Sequence, residues 1–249
     1  MAKVNAFWDR TQNFGDKLAP WLIQRITGIA PLFSAGSSTE PVLVTCGSLL
    51  NVPVAGAVVW GAGFARCTDP VAVPAKVCAV RGPRSREKLL AYGVDCPDVC
   101  ADPATLLPRF VQPASQRHRR LAVIPHYADY HIAAALFTGL PVDVVDLMGS
   151  IEGVIEQVTR CDLAVSSSLH GMIVAHAYGI PCRWVRFSDK VEGCGFKFHD
   201  YFASGGLPLV NPLDLTIGRL NLAELESTVP RKLPVINTEA LWAARPSPL

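Results

Sequence analysis

The chain has 249 residues, of which 50% are hydrophobic and 18% are charged, so it holds enough apolar material for a full core and is not a disordered chain. Its 23 Lys and Arg residues nearly balance its 21 Asp and Glu residues, and no basic stripe is visible, which disfavours a nucleic-acid partner. Gly, Pro or a charge interrupts each apolar run before the about 20 residues of a membrane span, and the first residues lack the apolar core of a signal peptide, so we expect a cytoplasmic protein.

Short apolar strands alternate with helical patterns along the chain. The strands are predicted at residues 41–46, 57–60, 76–80, 121–124, 142–146 and 163–165. The helices are predicted at residues 18–26, 85–92, 130–140, 151–160 and 169–178. Nearly continuous apolar strands between amphipathic helices are typical of parallel sheets covered on both faces, so we predict an α/β fold.

A polar segment with a proline, at residues 110–120, is expected to be a linker between two similar α/β halves. We therefore predict an N-terminal lobe at 1–112 and a C-terminal lobe at 119–205. The remaining tail, 206–249, is expected to pack back over the body, because its Leu and Trp side chains would otherwise be exposed. Short helices are predicted in this tail at 222–228 and 238–244.

Ligands of parallel α/β sheets bind beyond the carboxyl ends of the strands, so polar residues at strand ends are candidates for a site. The N-terminal candidate is the segment Asn13, Phe14, Gly15 and Asp16. Gly15 permits a backbone turn that a side chain would hinder. Asp16 is either the N-cap of the next helix or, with Asn13, part of a site that holds sugar hydroxyls or accepts a proton.

A second candidate follows the strand at 76–80. Gly82 provides a turn and Pro83 suits the first position of a helix. Arg81 would then lie at the strand end beside unsatisfied backbone N–H groups, a combination that favours a carboxylate or phosphate ligand. Arg84 is either a second cation of this anion site or a solvent-facing residue.

A third candidate follows the strand at 121–124, where His126, Tyr127 and Asp129 occur together. A single His at such a position is usually structural or merely exposed. Three polar groups at one strand end make a functional role an equally good hypothesis.

The strongest candidate follows the strand at 163–165. Ser166, Ser167 and Ser168 come directly after it, and His170 lies in the first turn of the next predicted helix. Serines can cap a helix and orient an anion on its N–H groups. Capping explains one serine but not three with a histidine, and the Gly-x-Ser-x-Gly elbow of serine hydrolases is absent.

Three further features are weaker indications of a ligand or metal site. Lys197 lies in a segment of alternating aromatic and charged residues at 193–202 and is a plausible point-charge partner for phosphate. Gly61 and Gly63 are too few for a dinucleotide-binding fingerprint. The eight cysteines fit a reducing compartment, and no second pair joins Cys96 and Cys100 to complete a zinc site, so we expect no metal site.

Eight motifs occur in a fixed order along the chain: N-F-G-D (13–16), V-W-G-A-G-F (59–64), V-R-G-P-R-S (80–85), D-P-A-T-L-L (102–107), I-P-H-Y-A-D (124–129), S-S-S-L-H-G (166–171), A-Y-G-I-P (177–181) and F-K-F-H-D-Y-F (196–202). Together they resemble the polysaccharide pyruvyl transferase family, closest to its bacterial exopolysaccharide branch, from about residue 7 to residue 206.

The resemblance implies two Rossmann-like lobes arranged as in GT-B glycosyltransferases, with the site between them. It also implies phosphoenolpyruvate as the donor, no further cofactor, and a lipid-linked oligosaccharide as the acceptor. An enzyme with such an acceptor would act at the inner face of the cytoplasmic membrane, although no basic amphipathic helix is evident.

The family's histidine of the L-H-G motif falls on His170, and its anion-binding arginine falls on Arg81. Other branches often carry an arginine two residues before that histidine, where this chain has Ser168. We therefore expect the charge of the donor to be bound by Arg81, Arg84 or Lys197.

In the mechanism that the resemblance implies, an acid protonates the methylene carbon of the enol and a sugar hydroxyl attacks the neighbouring carbon. His170 is the predicted acid, because a histidine pKa lies near working pH and its cation favours an anionic donor. Asp16, His126 or Asp129 would take the hydroxyl protons.

Two alternatives are a GT-B glycosyltransferase that uses a nucleotide sugar and a non-catalytic homologue that binds glycan. The first is weakened by His176, which stands where the family's helix commonly carries an acid. The second is kept open by His176 and by Ser168.

Overall fold

The computed structural model describes residues 3–191, 193–216 and 221–247, so parts of the predicted lobes and tail (1–2, 192, 217–220 and 248–249) lie outside the described residues. Two five-stranded sheets with parallel strands and flanking helices confirm the predicted α/β class and are consistent with a GT-B-like fold. Within these ranges no helix has the length and apolar character needed to cross a membrane.

The strands are β1 (Asn5–Phe7), β2 (Leu32–Phe33), β3 (Val42–Val44), β4 (Ala57–Trp60), β5 (Lys76–Ala79), β6 (Arg119–Ile124), β7 (Asp143–Val144), β8 (Cys161–Ser166), β9 (Cys182–Arg186) and β10 (Leu213–Asp214). The α-helices are α1 (Phe14–Thr27), α2 (Pro83–Ala91), α3 (Tyr130–Leu136), α4 (Ile151–Thr159), α5 (Leu169–Ala177), α6 (Phe196–Ser204), α7 (Leu222–Ser227) and α8 (Thr238–Ala243). Short 3₁₀ helices occupy Pro103–Arg109 and Tyr127–Asp129.

The chain divides into two compact units. Unit 1 comprises Met1–Pro103, Gly193–Leu209 and Pro234–Leu249, and unit 2 comprises Ala104–Glu192 and Val210–Leu233. Each unit therefore contains segments that are distant in the sequence. The boundaries predicted at 112, 119 and 205 remain predictions.

The sheet of unit 1 has the order β2-β1-β3-β4-β5. Its central strands are buried, and α1 covers them with an apolar stripe that includes Phe14, Leu18 and Leu22, all without exposed surface. The spacing of four residues places these side chains on one face of the helix. Helix α1 begins at Phe14, four residues earlier than predicted, because the side chain of Asn13 caps its first turn.

The sheet of unit 2 has the order β10-β9-β8-β6-β7. The central pair β6 and β8 contributes Leu121, Val123, Leu163 and Val165 to one hydrophobic core. The residues after these two strands consequently lie side by side at the carboxyl edge of the sheet, where Ile124 pairs with Ser166.

Four strands and the nine-residue helix α6 were not predicted, for different physical reasons. β1, β2 and β10 contain two or three residues each, too few for a pattern of burial to appear. β9 was not predicted because Arg183 and Arg186 interrupt the apolar pattern of this five-residue strand. The aromatic residues of α6 were interpreted as packing only. The helix predicted at 130–140 is α3, which ends at Leu136, just before the left-handed turn at Gly139.

The C-terminal segment of unit 1 contacts the end of β4. The indole N–H of Trp60 donates to the backbone oxygen of Leu241 over 3.0 Å, and both side chains are fully buried. Such a buried hydrogen bond satisfies a polar group that would otherwise be costly inside a core.

Candidate active site

Arg81 lies directly after β5 in a buried network of hydrogen bonds, with 1% of its side chain exposed. Its Nη2 lies 3.1 Å from Oδ2 of Asp200, and its Nε donates to the same oxygen over 3.2 Å. Nη1 donates to the hydroxyl of Ser48 over 2.9 Å, and Nη2 donates to the backbone oxygen of Phe64 over 2.5 Å. All three guanidinium nitrogens therefore have acceptors within the protein.

The carboxylate of Asp200 also occupies the N-terminus of α2. Its Oδ1 accepts the backbone N–H of Ser85 over 2.9 Å, and its Oδ2 accepts the Ser85 hydroxyl over 2.6 Å. The sequence around Arg81 predicts an anion at this helix end, and in this structure an anionic group there is the Asp200 carboxylate of α6. The binding of the donor by Arg81 stays a prediction.

Two glycines make room for this network. A Cβ atom on Gly63 would lie 2.5 Å from Cζ of Arg81, and one on Gly82 would lie 2.0 Å from the backbone oxygen of Asp200. Three of the motifs, which contain Gly63, Arg81 and Asp200, therefore meet at one buried charge pair. Asp200 is not among the predicted site residues, although Lys197 of the same segment is. The feature that could have indicated Asp200 is an acidic residue among the aromatic residues of α6.

Arg84 lies in the first turn of α2 and is half-buried. It has neither a hydrogen bond nor an ion pair with the residues that the structure describes. It lines a cavity of about 650 Å³ in unit 1 together with Cys67, Pro83, Glu87, Lys88, Phe196 and Ala203. Lys88 is committed to the protein, because its Nζ donates to the backbone oxygen of Cys67 over 2.6 Å. Arg84 is therefore the cation of this cavity with uncommitted donors.

Asn13, rather than Asp16, is the N-cap of α1. Its Oδ1 accepts the backbone N–H of Asp16 over 3.3 Å, and its side-chain amide donates to the Asp16 carboxylate. Both residues are half-buried, and Gly15 between them is buried. This reciprocal pairing resembles a capping box and holds Asp16 at the carboxyl end of β1. The use of Asn13, Gly15 and Asp16 by a substrate stays a prediction.

In unit 2, the three serines at the carboxyl end of β8 are buried and have separate structural partners. The hydroxyl of Ser166 lies 2.7 Å from the backbone oxygen of Ile124 and accepts the backbone N–H of Ser168 over 3.0 Å. Ser168 caps α5 by accepting the backbone N–H of Gly171 over 3.3 Å. These contacts fix the turn from strand to helix.

Ser167 connects this turn to Asp129, whose side chain is fully buried. The Ser167 hydroxyl donates to Oδ2 of Asp129 over 2.9 Å and accepts the backbone N–H of His126 over 2.9 Å. The hydroxyl of Ser188, after β9, donates to Oδ1 of the same carboxylate. Asp129 thus joins the loops that follow three neighbouring strands. Contact of these serines and of Asp129 with a substrate stays a prediction.

His126 and His170 are half-buried at the carboxyl edge of this sheet. His170 lies in the first turn of α5, two residues after the cap at Ser168. Nδ1 of His126 accepts the backbone N–H of Ala128 over 3.3 Å, so the neutral ring carries its proton on Nε2. In this conformation His126 presents a hydrogen-bond donor rather than a base.

His176 lies in the last turn of α5 and is buried. Burial lowers its pKa to about 4, although a hydrogen bond with the backbone of Cys182 acts in the opposite direction. The side chain is therefore neutral near pH 7. Its surroundings indicate that it helps to pack α5 against β9.

A sequence model described as polysaccharide pyruvyl transferase matches residues 46–189, a stretch that contains Arg81, Arg84, His126 and His170. The chain belongs to the polysaccharide pyruvyl transferase family.

Two relatives illustrate the family. A succinoglycan biosynthesis protein, ExoV, of Rhizobium meliloti (strain 1021) is 29% identical over 215 residues, which cover 81% of this chain and 64% of that protein. An uncharacterized protein, L143, of Acanthamoeba polyphaga mimivirus is 33% identical over 138 residues, which cover 51% of this chain and 47% of that protein. The chain thus spans less than two thirds of either relative's length. No solved structure matches this pyruvyl transferase family member.

The buried charge pair predicts a large effect of Asp200→Ala on stability. The variant leaves the Arg81 guanidinium buried without its carboxylate, so the free energy of unfolding should fall by about 3–5 kcal/mol in urea denaturation. Asp98→Ala is the control in the same unit, because Asp98 is 86% exposed where it faces Arg86 and should contribute less than about 1 kcal/mol. Equal effects of the two substitutions would contradict this interpretation.

The lowered pKa of His176 predicts a loss of stability in mild acid. An unfolded histidine takes up a proton near pH 6.5, whereas the folded one does so near pH 4. The stabilising contribution is therefore complete above pH 6.5 and declines as the pH falls towards 4, by about 3 kcal/mol in all. Urea midpoints between pH 7 and 4 should decline less steeply for His176→Gln than for the wild type. His118→Gln, at an exposed position, should keep the wild-type slope.

Proposed function

We propose that this chain transfers pyruvate from phosphoenolpyruvate to two hydroxyls of a sugar in an exopolysaccharide repeat unit, forming a ketal and releasing phosphate. The observation that carries the proposal is the family match over residues 46–189. The relative that covers 81% of the chain takes part in succinoglycan biosynthesis, which supports a polysaccharide acceptor. A lipid-linked repeat unit is the form of acceptor that we favour, and it would bring the chain to a membrane surface.

Arg84 is the best-supported cation for the donor. Phosphoenolpyruvate carries a carboxylate and a phosphate, which bind best to guanidinium and ammonium groups. Arg84 is half-buried and has no acceptor among the described residues, whereas Arg81 is committed to Asp200. We therefore assign Arg84 to donor binding, with Lys197 as a second candidate, and treat Arg81 as the group that positions the start of α2.

His170 is proposed to protonate the methylene carbon of the donor. The new C–H bond takes the electron pair of the C=C bond, and the adjacent carbon becomes oxocarbenium-like. A sugar hydroxyl attacks that carbon, the bond to the phosphate oxygen breaks, and a second hydroxyl closes the ketal. Of the two hydroxyl protons, one restores His170 and the other leaves with phosphate. His170 is half-buried in the first turn of α5, and a bound anionic donor would favour the protonated form of its imidazole.

Asp16 is the proposed base that first accepts the hydroxyl protons, which then pass through solvent to His170 and to phosphate. It is half-buried, and the Asn13 amide holds its carboxylate in place. Asp129 is too deeply buried for this task and instead positions the loops that carry His126 and Ser167. His126 presents an N–H group, which suits binding of a hydroxyl or phosphate oxygen.

We further propose that an aromatic cluster in unit 1 holds the acceptor sugar. Trp8 follows β1, and its ring lies 5.1 Å from that of Phe33, edge to face, while Phe33 is 41% exposed at the end of β2. Arg10 lies over the Phe33 ring at 5.3 Å. Aromatic faces beside hydrogen-bonding groups, at the carboxyl ends of parallel strands, suit the apolar faces and hydroxyls of a sugar ring.

The catalytic assignment predicts that His170→Ala lowers kcat by about 10²–10⁴-fold with little change in the free energy of unfolding. The measurement is phosphate release that depends on both phosphoenolpyruvate and an oligosaccharide acceptor, with mass spectrometry of the ketal product. His131→Ala, an exposed histidine of α3, should retain wild-type kcat.

Near-normal turnover by the His170 variant would exclude this histidine as the acid. Failure of the wild type to release phosphate, together with thermal stabilisation by nucleotide sugars but not by phosphoenolpyruvate, would favour a glycosyltransferase instead.

The acceptor assignment predicts a selective effect of Phe33→Ala. Loss of the stacking face should raise the KM for the acceptor about tenfold and leave the KM for phosphoenolpyruvate unchanged. Leu32→Ala is the matched control, because Leu32 is the neighbouring, 52% exposed residue of the same two-residue strand and points to the other side. A KM for the acceptor that is unchanged in Phe33→Ala would place the sugar elsewhere.

A further inference from the structure

Two exposed cysteines of unit 1, Cys67 and Cys194, lie with their sulfur atoms 3.8 Å apart, although 127 residues separate them in the sequence. The other six cysteines are buried or half-buried. Burial raises the pKa of several of these thiols, for example to about 11 at Cys96 and to about 12 at Cys161. An oxidant in solution would therefore meet one accessible thiol pair and a set of protected, poorly ionised thiols.

The segment that carries Cys194 makes a tight turn that its two flanking glycines permit. Gly193 and Gly195 flank the cysteine with φ values of +93° and +80°. A Cβ atom on Gly193 would lie 2.7 Å from the backbone oxygen of Ala65, so this turn lies directly against the segment before Cys67. The two thiols are thus in contact because the backbones at Gly193 and Ala65 approach each other closely.

The partner segment is anchored as well. The Asp69 carboxylate accepts the backbone N–H groups of Ala65 and Arg66 over 3.0 and 2.8 Å. Nζ of Lys88 donates to the backbone oxygen of Cys67 over 2.6 Å. Both thiols are therefore presented by segments whose backbones make further contacts within unit 1, and their sulfur atoms are already 3.8 Å apart.

The two sulfurs differ in their readiness to react. A hydrogen bond from the Cys67 side chain, followed by one with the Cys67 backbone, lowers the pKa of the Cys194 thiol. The thiolate is the nucleophilic form of cysteine, so Cys194 is the sulfur that attacks an oxidant first. Cys67 is then in position to resolve the oxidised product.

A structural zinc site fits this pair poorly. Such sites use four ligands from Cys, His or acidic residues. Within the described part of the chain, no cluster of three or more such side chains could hold a metal ion. Two exposed thiols in contact, without further ligands, are better suited to oxidation than to permanent coordination.

We propose that Cys67 and Cys194 form a peroxide-sensitive dithiol that closes to an intramolecular disulfide. The Cys194 thiolate attacks one oxygen of hydrogen peroxide, the O–O bond breaks, and the departing hydroxide is protonated to water. The Cys67 thiolate then attacks the sulfur of the resulting sulfenic acid, the S–O bond breaks, and a second water leaves. The two thiols lose two electrons in total, and one peroxide is reduced to two waters.

The disulfide would fasten the loop after β4 to the start of α6. The loop carries Gly63, and α6 carries Asp200, the two residues that enclose Arg81. Cys67 also lines the cavity that contains Arg84. Oxidation would therefore restrict the segments around the buried charge pair and around this cavity.

The test uses the full chain, reduced and then treated with equimolar hydrogen peroxide. Accessible thiols are alkylated under native conditions, and peptides are analysed by mass spectrometry without reduction. We expect a peptide that links Cys67 to Cys194, the loss of two reactive thiols per chain, and a higher Tm, because the cross-link closes a long loop. Dithiothreitol should reverse all three changes.

Cys67→Ser and Cys194→Ser should each abolish the linked peptide and the reversible rise in Tm, and Cys67→Ser should leave a trappable sulfenic acid at Cys194. Cys100→Ser is the matched control at a half-buried thiol and should behave as wild type. Both thiols remaining open to alkylation after peroxide, or a cross-link only between two chains, would overturn the proposal. So would zinc retained by the reduced wild type and lost in both variants. These readouts involve no pyruvyl transfer and stand apart from the proposed function.

Discussion

The ion pair between Arg81 and Asp200 is the constraint on which the first unit depends. A buried guanidinium and carboxylate lose their hydration, and only a complete set of partners offsets that cost. Here the set comprises the Ser48 hydroxyl, a backbone carbonyl and the first turn of α2. A substitution on any of these segments disturbs a charge rather than a neutral contact. The pair therefore fixes the geometry of the strand end more than it adds stability.

In the second unit, another buried carboxylate fixes the geometry of the strand ends. Asp129 is fully buried and binds hydroxyl groups from the loops after β8 and β9. Through Ser167 it also fixes the backbone of His126. Each sheet thus has a buried acid that organises its carboxyl edge, while residues such as His170 and Arg84 beside it are half-buried. A rigid inner layer that supports a partly exposed outer layer is the arrangement that catalysis requires.

Much of the fold was open to prediction from local pattern. Continuous apolar runs identified the strands β3 to β8, because a strand buried on both faces needs apolar residues at every position. Proline after glycine correctly indicated the start of α2 at Pro83. Strands of two or three residues escaped, because their formation depends on neighbours supplied by distant parts of the chain. The C-terminal segments gave short helical patterns but no sign of which unit each would join.

The sequence by itself determined the α/β class, the family and the strand ends at which polar groups gather, because these follow from residue order and from local hydrogen bonding. Only the tertiary structure decided which of those polar groups bind to other residues of the protein itself. The anion predicted beside Arg81 exists, but it is the side chain of Asp200, 119 residues away. Likewise, Ser166, Ser167 and Ser168 have the same local character in the sequence, yet each hydroxyl has its own partners in the structure. Long-range pairing of charges and hydroxyls leaves no local signature, since the partners meet only when the sheet brings them together.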